Sequence, residues 1–128
     1  MLQIGARGLA QTIVMSSNTA RAMGSGDLEV FATPAMVALM EQAAVKALDL
    51  PKGQSSVGTS LKIEHTAASP LGAKISATAE LTEIDRRRLV FSLRVSDEAG
   101  QIGHGVHERF IIDVDSFLGK VEKRQREK

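Results

Sequence analysis

Residues 31–48 form a long run of apolar positions at helical spacing. Thr33 is a favourable N-cap, and Pro34 suits the first turn of a helix because its φ is already helical and its missing N–H needs no partner there. Pro51 cannot continue the helical hydrogen bonds, so the helix should end shortly before it. We therefore predict one long helix over residues 34–48.

The faces of this helix differ in polarity. At about 100° per residue, three polar side chains fall in one narrow stripe, namely Gln42, Lys46 and Asp49. Glu41 instead has Val37 and Ala44 as neighbours one turn away, which places a carboxylate on the apolar face. We expect a helix enclosed on most of its circumference. Because an unpaired buried charge is costly, Glu41 is either a structural carboxylate held by an ion pair or a tuned general base.

A period of two replaces the helical period after the helix. In the first of these segments, one face is predicted to carry Val57, Thr59, Leu61, Ile63 and His65. In residues 73–84 the inward positions include small residues such as Ala77 and Ala79, which leave room for the helix. The predicted strands are residues 8–15, 56–66, 73–84, 89–95 and 101–113.

Short turns between these segments indicate antiparallel pairing. Residues 69–72, 85–87 and 97–100 are turn-like, so we predict that the last four strands form a meander. The chain is then a single α+β domain over residues 1–128, with a curved antiparallel sheet of five strands wrapped around one helix. Sheet edges need protection, which predicts a homodimer with a continuous sheet; a tetramer is the larger alternative.

Composition excludes several function classes. A net charge of +1 and 3% aromatic residues, without Trp or Tyr, argue against a nucleic-acid partner. The absence of cysteine excludes disulfides and thiolate metal sites. No segment resembles a signal peptide or a membrane span, which predicts a soluble, cytoplasmic protein without a membrane partner. Residues 120–128 carry mixed charges and are predicted to be a solvated tail.

Besides Glu41, two parts of the chain are candidates for chemistry: the N-terminus of the long helix and His65. The helix N-terminus offers free N–H groups, predicted to be those of Ala35 and Met36, which suit an oxyanion or a polarised carbonyl. Thr33 at this end is, taken alone, a simple helix cap. His65 lies on the inner face of its strand, where a hydrogen-bonded core histidine is the alternative to a catalytic one.

Other motifs carry less information. His104 and His107 should point to opposite faces of their strand, so no metal site is predicted. Gly103 and Gly105 lie in the same strand and predict close backbone approach rather than a phosphate loop. The basic run at residues 86–88 is either a solvated turn or a contact for the phosphates of a nucleotide-bearing substrate.

Three segments of the chain resemble hotdog-fold thioesterases of the fluoroacetyl-CoA thioesterase type. They are residues 32–41, with Thr-Pro and a Glu eight residues after the Thr, residues 56–65, and the His-Glu-Arg of residues 107–109. The resemblance implies the hotdog fold and the hydrolysis of an acyl-CoA thioester at a dimer interface. It implies no cofactor, since coenzyme A is part of the substrate.

The same resemblance implies roles for individual residues. Thr33, Glu41 and His65 would act together in catalysis, Gly58 would lie near the acyl group, and Arg109 would lie near the active site or coenzyme A. The family handles fluoroacetyl groups with an aromatic lid, whereas residues 16–30, our predicted lid, contain no Phe. We therefore expect another short or medium acyl group.

Helix geometry adds a constraint on this site. Eight residues span about 12 Å, so Thr33 and Glu41 of one chain should not both reach one carbonyl carbon. We therefore predict a composite site, in which the helix N-terminus of one subunit faces Glu41 of the other. Whether Glu41 acts as a base on water or as a nucleophile stays open.

Two other functions remain as alternatives. One is a non-catalytic acyl-CoA binding protein on the same fold. The other is an enoyl-CoA hydratase, which is less favoured because we find no Asp and His at the spacing such hydratases show near their helix.

Overall fold

Five strands form one antiparallel sheet in the order β1-β3-β4-β5-β2 in the computed structural model, which describes residues 2–127. The elements in chain order are β1 (Arg7–Ile13), α1 (Ala20–Met23), α2 (Thr33–Lys46), β2 (Gln54–His65), β3 (Lys74–Asp85), β4 (Arg88–Asp97), β5 (Gly100–Asp113) and α3 (Val114–Arg126). The five predicted strands and the long helix are therefore present, with boundaries that shift by a few residues. Helix α1 lies inside residues 16–30, the predicted lid.

The predicted meander is correct for three strands and wrong for β2. Strands β3, β4 and β5 follow one another as hairpins, but β2 pairs with β5 at the far edge of the sheet. The connection from β2 to β3, residues 66–73, bonds to other segments instead of closing a hairpin. Phe31 N–H donates to Ser69 O, and Gly72 N–H donates to Val14 O. Strand β2 therefore does not pair with β3 and lies at the opposite edge of the sheet from β1.

Helix α2 packs against the inner face of the sheet, as predicted. Ala77 and Ala79 of β3 are fully buried there. The helix approaches β1 so closely that a Cβ on Gly8 would lie 2.0 Å from the Ala43 carbonyl oxygen. Small residues on the sheet thus make the space that the helix occupies, and the core forms between them.

One side of α2 is open in the single chain. Pro34, Ala38 and Val45 are exposed, Val45 by 49%, so the prediction of a helix enclosed on most sides is wrong for one chain. Gln42 and Lys46 are exposed, as the polar stripe predicted. The start of α2 also differs, because the N-cap is Ala32 and no side chain caps the helix.

A bulge in β2 changes the face of one predicted inward residue. The pairing with β5 shifts between Gly58 and Ser60, so the alternation restarts after Thr59. Val57 pairs with the exposed Phe110 on the outer face, whereas Leu61 pairs with the buried His107. The predicted common face is therefore wrong for Val57 and for Thr59, which is the exposed residue of the bulge. Strict alternation in the sequence gives no sign of an inserted residue.

Of the predicted tail, residues 120–126 are exposed and form the second half of helix α3, whereas residue 128 lies outside the described residues. The turn at residues 85–87 is confirmed, with Arg86 in the left-handed region at φ 58°. None of the helices within residues 2–127 has both the length and the apolar character needed to cross a membrane.

Candidate active site

The first part of the site is a contact between the start of α2 and the end of β2. Thr33 Oγ1 and His65 Nδ1 lie 2.7 Å apart, a short hydrogen bond between side chains 32 positions apart in sequence. Thr33 is the first residue of α2, so its hydroxyl is turned to His65 instead of capping the helix. The pair can share one proton between a hydroxyl and an imidazole.

His65 is held in an environment that favours its neutral form. Burial lowers the pKa of His65, and the Ala67 backbone offsets only part of that effect. Its Nε2 atom is buried and makes no hydrogen bond among the residues described. A groove of about 270 Å³ adjoins the pair, and Ala20, Ser25 and Val30 of the preceding segment contribute to its wall. A neutral imidazole beside a groove is suited to accept a proton.

The helix N-terminus offers fewer free donors than the sequence predicted. Met36 N–H donates to Ala32 O at 3.0 Å, so the prediction of a free Met36 amide is wrong. The Met36 side chain is buried in the core. Ala35, which precedes the first intrahelical hydrogen bond, is the predicted donor that remains.

The second part of the site surrounds Glu41. The Glu41 Oε2 atom lies 3.3 Å from Arg109 Nη1, so the carboxylate is ion-paired, as one of our two interpretations required. Its side chain is 42% exposed, on the open side of α2. Arg109 is mostly buried. Burial lowers the pKa of Arg109, and the Glu41 charge opposes this shift, so the guanidinium stays charged.

His107 is a member of this cluster that sequence reasoning did not select as a site residue. Its side chain is 2% exposed, and burial lowers the pKa of His107. Nε2 of His107 lies 3.1 Å from Arg109 Nη1 and 3.9 Å from Glu41 Oε2. The early signals were its place in the His-Glu-Arg segment and the prediction that it points to the opposite face of its strand from His104.

Gly58 lies against the same cluster. A Cβ at this position would be 2.9 Å from Glu41 Oε2 and 3.1 Å from His107 Cε1, closer than side chains normally pack. A glycine is therefore needed for the carboxylate to occupy its observed place. The predicted neighbours Gly58, Glu41 and Arg109 do come together.

The two parts of the site are not in contact within one chain. Thr33 and His65 lie at the N-terminal end of α2, and Glu41 lies two turns further along, about 12 Å away by helical rise. One chain thus presents a hydroxyl–imidazole pair and, separately, a carboxylate on its open helix face.

The other sequence motifs do not extend the site. His104 pairs with Glu64 on the outer face, opposite to His107, as predicted. No group of three potential metal ligands occurs in residues 2–127. In the basic turn, Arg87 pairs with Asp113, and Arg88 pairs with acidic side chains. Arg86 is 92% exposed beside Asp85, so the turn is solvated and its contact with phosphates stays a prediction.

Comparison with known proteins identifies the family. The family model for the fluoroacetyl-CoA-specific thioesterase matches residues 14–115. The fluoroacetyl-CoA thioesterase of Streptantibioticus cattleyicolor is 43% identical over 98 residues, which are 75% of this chain and 70% of that protein. This chain belongs to the fluoroacetyl-CoA-specific thioesterase family. It is an acyl-CoA thioesterase, and the resemblance inferred from the sequence is confirmed.

Solved structures agree with the hotdog fold of this thioesterase. A phenylalanine-to-alanine mutant of the fluoroacetyl-CoA-specific thioesterase has a TM-score of 0.89 at 36% identity, with 97% of this chain and 98% of that chain covered. A hot-dog-like protein from Thermanaerovibrio acidaminovorans has a TM-score of 0.87 at 28% identity, with 96% and 93% covered. The predicted fold class, a curved sheet around one long helix, is confirmed.

Proposed function

We propose that this thioesterase hydrolyses a short or medium acyl-CoA at a composite site in a homodimer. Thr33, His65 and the N-terminus of α2 come from one subunit, and Glu41 comes from the other. The main support is the separation of the two groups: a bonded Thr33–His65 pair beside a groove, and a half-exposed Glu41 two turns away on an open helix face.

The chemistry follows from these groups. Ala35 N–H and the positive end of the helix dipole polarise the thioester carbonyl. As a base, Glu41 takes a proton from water while the water oxygen attacks the carbonyl carbon and the C–S bond breaks. As a nucleophile, Glu41 attacks that carbon itself, the C–S bond breaks, and water then hydrolyses the acyl-Glu41 anhydride. In both routes the proton that the water gives up passes to the leaving thiolate through His65. Oxygen-18 from water enters Glu41 only in the nucleophilic route, when water attacks the Glu41 carbonyl of the anhydride. Label in the Glu41 peptide after turnover, or a trapped acyl-Glu41 anhydride, would therefore establish that route.

The assembly in this proposal is a dimer joined at an edge of the sheet. Strand β2 pairs with β5 on one side only, which leaves its other edge for a partner. The open side of α2 around Val45 lies beside Glu41 and would be covered by the same contact. We further infer a cytoplasmic enzyme that uses no cofactor, with a tetramer as the larger alternative.

The acyl group should differ from fluoroacetyl. A related enzyme, 43% identical, is named for fluoroacetyl-CoA. Here the segment of residues 16–30 has no aromatic residue, and its side chains in the groove wall are the small Ala20, Ser25 and Val30. The aromatic side chain that lines this groove, Phe31, follows the segment and is buried in the core, so the predicted lid itself presents no aromatic residue to an acyl chain of a few carbons.

Release of free thiol from a panel of acyl-CoAs tests this proposal. We expect turnover of acetyl-CoA to hexanoyl-CoA that exceeds turnover of fluoroacetyl-CoA, and near-complete loss in Glu41→Gln. Full activity of Glu41→Gln on every substrate would remove Glu41 from catalysis. Tight binding of acyl-CoA without thiol release would instead favour a non-catalytic binding protein.

A further inference from the structure

We infer that His107 is a positioning residue that acts through Arg109 to hold the Glu41 carboxylate for catalysis. The inference rests on the proposed catalytic role of Glu41 and assigns a function to a buried histidine that makes no hydrogen bond to the reacting groups. It is carried by a chain of hydrogen bonds from the β2 backbone to His107, Arg109 and Glu41.

The partners of His107 determine which nitrogen carries its proton. Ser60 O lies 2.9 Å from His107 Nδ1, and a carbonyl oxygen can only accept, so Nδ1 carries the proton. Arg109 Nη1 lies 3.1 Å from Nε2, and a guanidinium can only donate, so Nε2 is the acceptor. His107 is therefore neutral, and its 3.9 Å approach to Glu41 is not an ion pair.

Arg109 is fixed by contacts on each of its nitrogens. Its Nε donates to Ser56 Oγ at 2.8 Å, and Nη2 donates to Ser56 O at 2.9 Å. Nη1 carries two hydrogens, one for His107 Nε2 and one for Glu41 Oε2. Ser56 and His107 hold the guanidinium plane from two sides. The second N–H of Nη1 therefore points in one direction only, towards Glu41.

The two oxygens of the Glu41 carboxylate differ in their contacts. Only Oε2 of Glu41 contacts Arg109, so Oε1 is left without a partner within residues 2–127 and is available for reaction. An exposed glutamate would otherwise sample several rotamers. Holding one oxygen fixes the direction of the other, and reaction rates depend steeply on such alignment.

Removal of the acceptor on His107 tests the relay. We expect His107→Leu to lower kcat about tenfold, with KM within about twofold, because binding groups are untouched and only the carboxylate loses its orientation. His107→Gln should recover most of kcat, since its amide can donate to Ser60 O and accept from Arg109. His104→Leu, on the outer face of the same strand, is the matched control and should behave as the wild type.

A second variant covers the case in which His107→Leu does not fold. Arg109→Lys keeps a positive charge near Glu41 but lacks the planar group that Ser56 and His107 hold, so kcat should again fall about tenfold. A wild-type kcat in folded His107→Leu, or in Arg109→Lys, would overturn the relay.

The effect must also depend on Glu41. In a Glu41→Gln background, His107→Leu should cost less than about twofold of the residual kcat, since the two residues lie on one path. A full tenfold cost there would contradict action through Glu41. If Glu41→Gln alone is fully active, the proposed catalytic role has failed, an outcome distinct from loss of the relay only.

Discussion

Replacement of Gly58 by alanine places one methyl group into the cluster around Glu41. The added Cβ would lie 2.9 Å from Glu41 Oε2, 3.1 Å from His107 Cε1 and 3.5 Å from Arg109 Nη1. The carboxylate is the end of a flexible, half-exposed side chain, whereas His107 is buried and bonded at both nitrogens. We therefore expect Glu41 to make most of the adjustment. The contact with His107 Cε1 needs a shift of only about 0.3 Å, from 3.1 Å to 3.4 Å, which leaves the fold intact.

The size of the displacement follows from these distances. An ordinary contact to a Cβ begins at 3.4 Å, so Glu41 Oε2 must retreat by about 0.5 Å, the difference between 3.4 Å and 2.9 Å. Its bond to Arg109 is already 3.3 Å long and would be lost in most such movements. A misplacement of about 1 Å can cost a factor of about 100 in rate. A displacement of about half that distance should therefore lower kcat roughly tenfold.

Steady-state thiol release measures this effect. Gly58→Ala should lower kcat roughly tenfold, with a change in melting temperature of no more than a few degrees. Gly119→Ala is the matched control, because a Cβ there meets nothing within 4 Å and the exchange lies in an exposed helix. It should retain full activity. An unchanged kcat in folded Gly58→Ala would refute the argument that the position of Glu41 limits the reaction.

Three further predictions concern other parts of the molecule. Thr33→Val removes the hydroxyl bonded to His65 and should lower kcat at least tenfold, whereas Thr33→Ser should retain most of the wild-type kcat. Equal rates of thiol release by the Val and Ser variants would argue against a role for the hydroxyl. Gly105→Ala would bring a Cβ to 2.5 Å from Lys62 O and should reduce the free energy of unfolding by about 1–3 kcal/mol. An unchanged midpoint of urea unfolding would count against the tight β2–β5 contact. Burial lowers the pKa of His65 and His107 below the ordinary 6.5, so below that pH the unfolded chain binds protons that the folded chain does not. The free energy of unfolding should therefore fall as the pH drops through this range. Urea titrations from pH 7 to 5 would measure the slope, which His107→Gln should reduce.

Much of the fold was predictable because its signals are local. Alternation identified the strands, and the small inward residues of β3, such as Ala77, indicated where the helix packs. The place of β2 in the sheet was not predictable from turn residues, because it depends on the bonds that Phe31 and Val14 make with the β2–β3 connection. The bulge at Thr59 was equally hidden, since one inserted residue leaves a period of two intact on either side.

The candidate site was predictable in part for the same reason. Glu41 was conspicuous as a lone acid among apolar neighbours. The inference that it is buried is wrong for one chain, where its side chain is 42% exposed, but the ion pair with Arg109 is present. His107 gave no such signal, because a buried histidine in a strand fits an ordinary core. Its importance follows from the Arg109 contact, which arises only when β2, β5 and α2 meet.

Thiol release by a mixed dimer tests the composite site most directly. Thr33→Ala and Glu41→Ala chains, each with a different affinity tag, are produced together, and the mixed dimer is isolated by two successive columns. One of its sites then carries both defects and the other carries neither. The account predicts about half of the wild-type activity per dimer, while each parent dimer stays inactive. A mixed dimer as inactive as its parents would contradict a site shared between two chains.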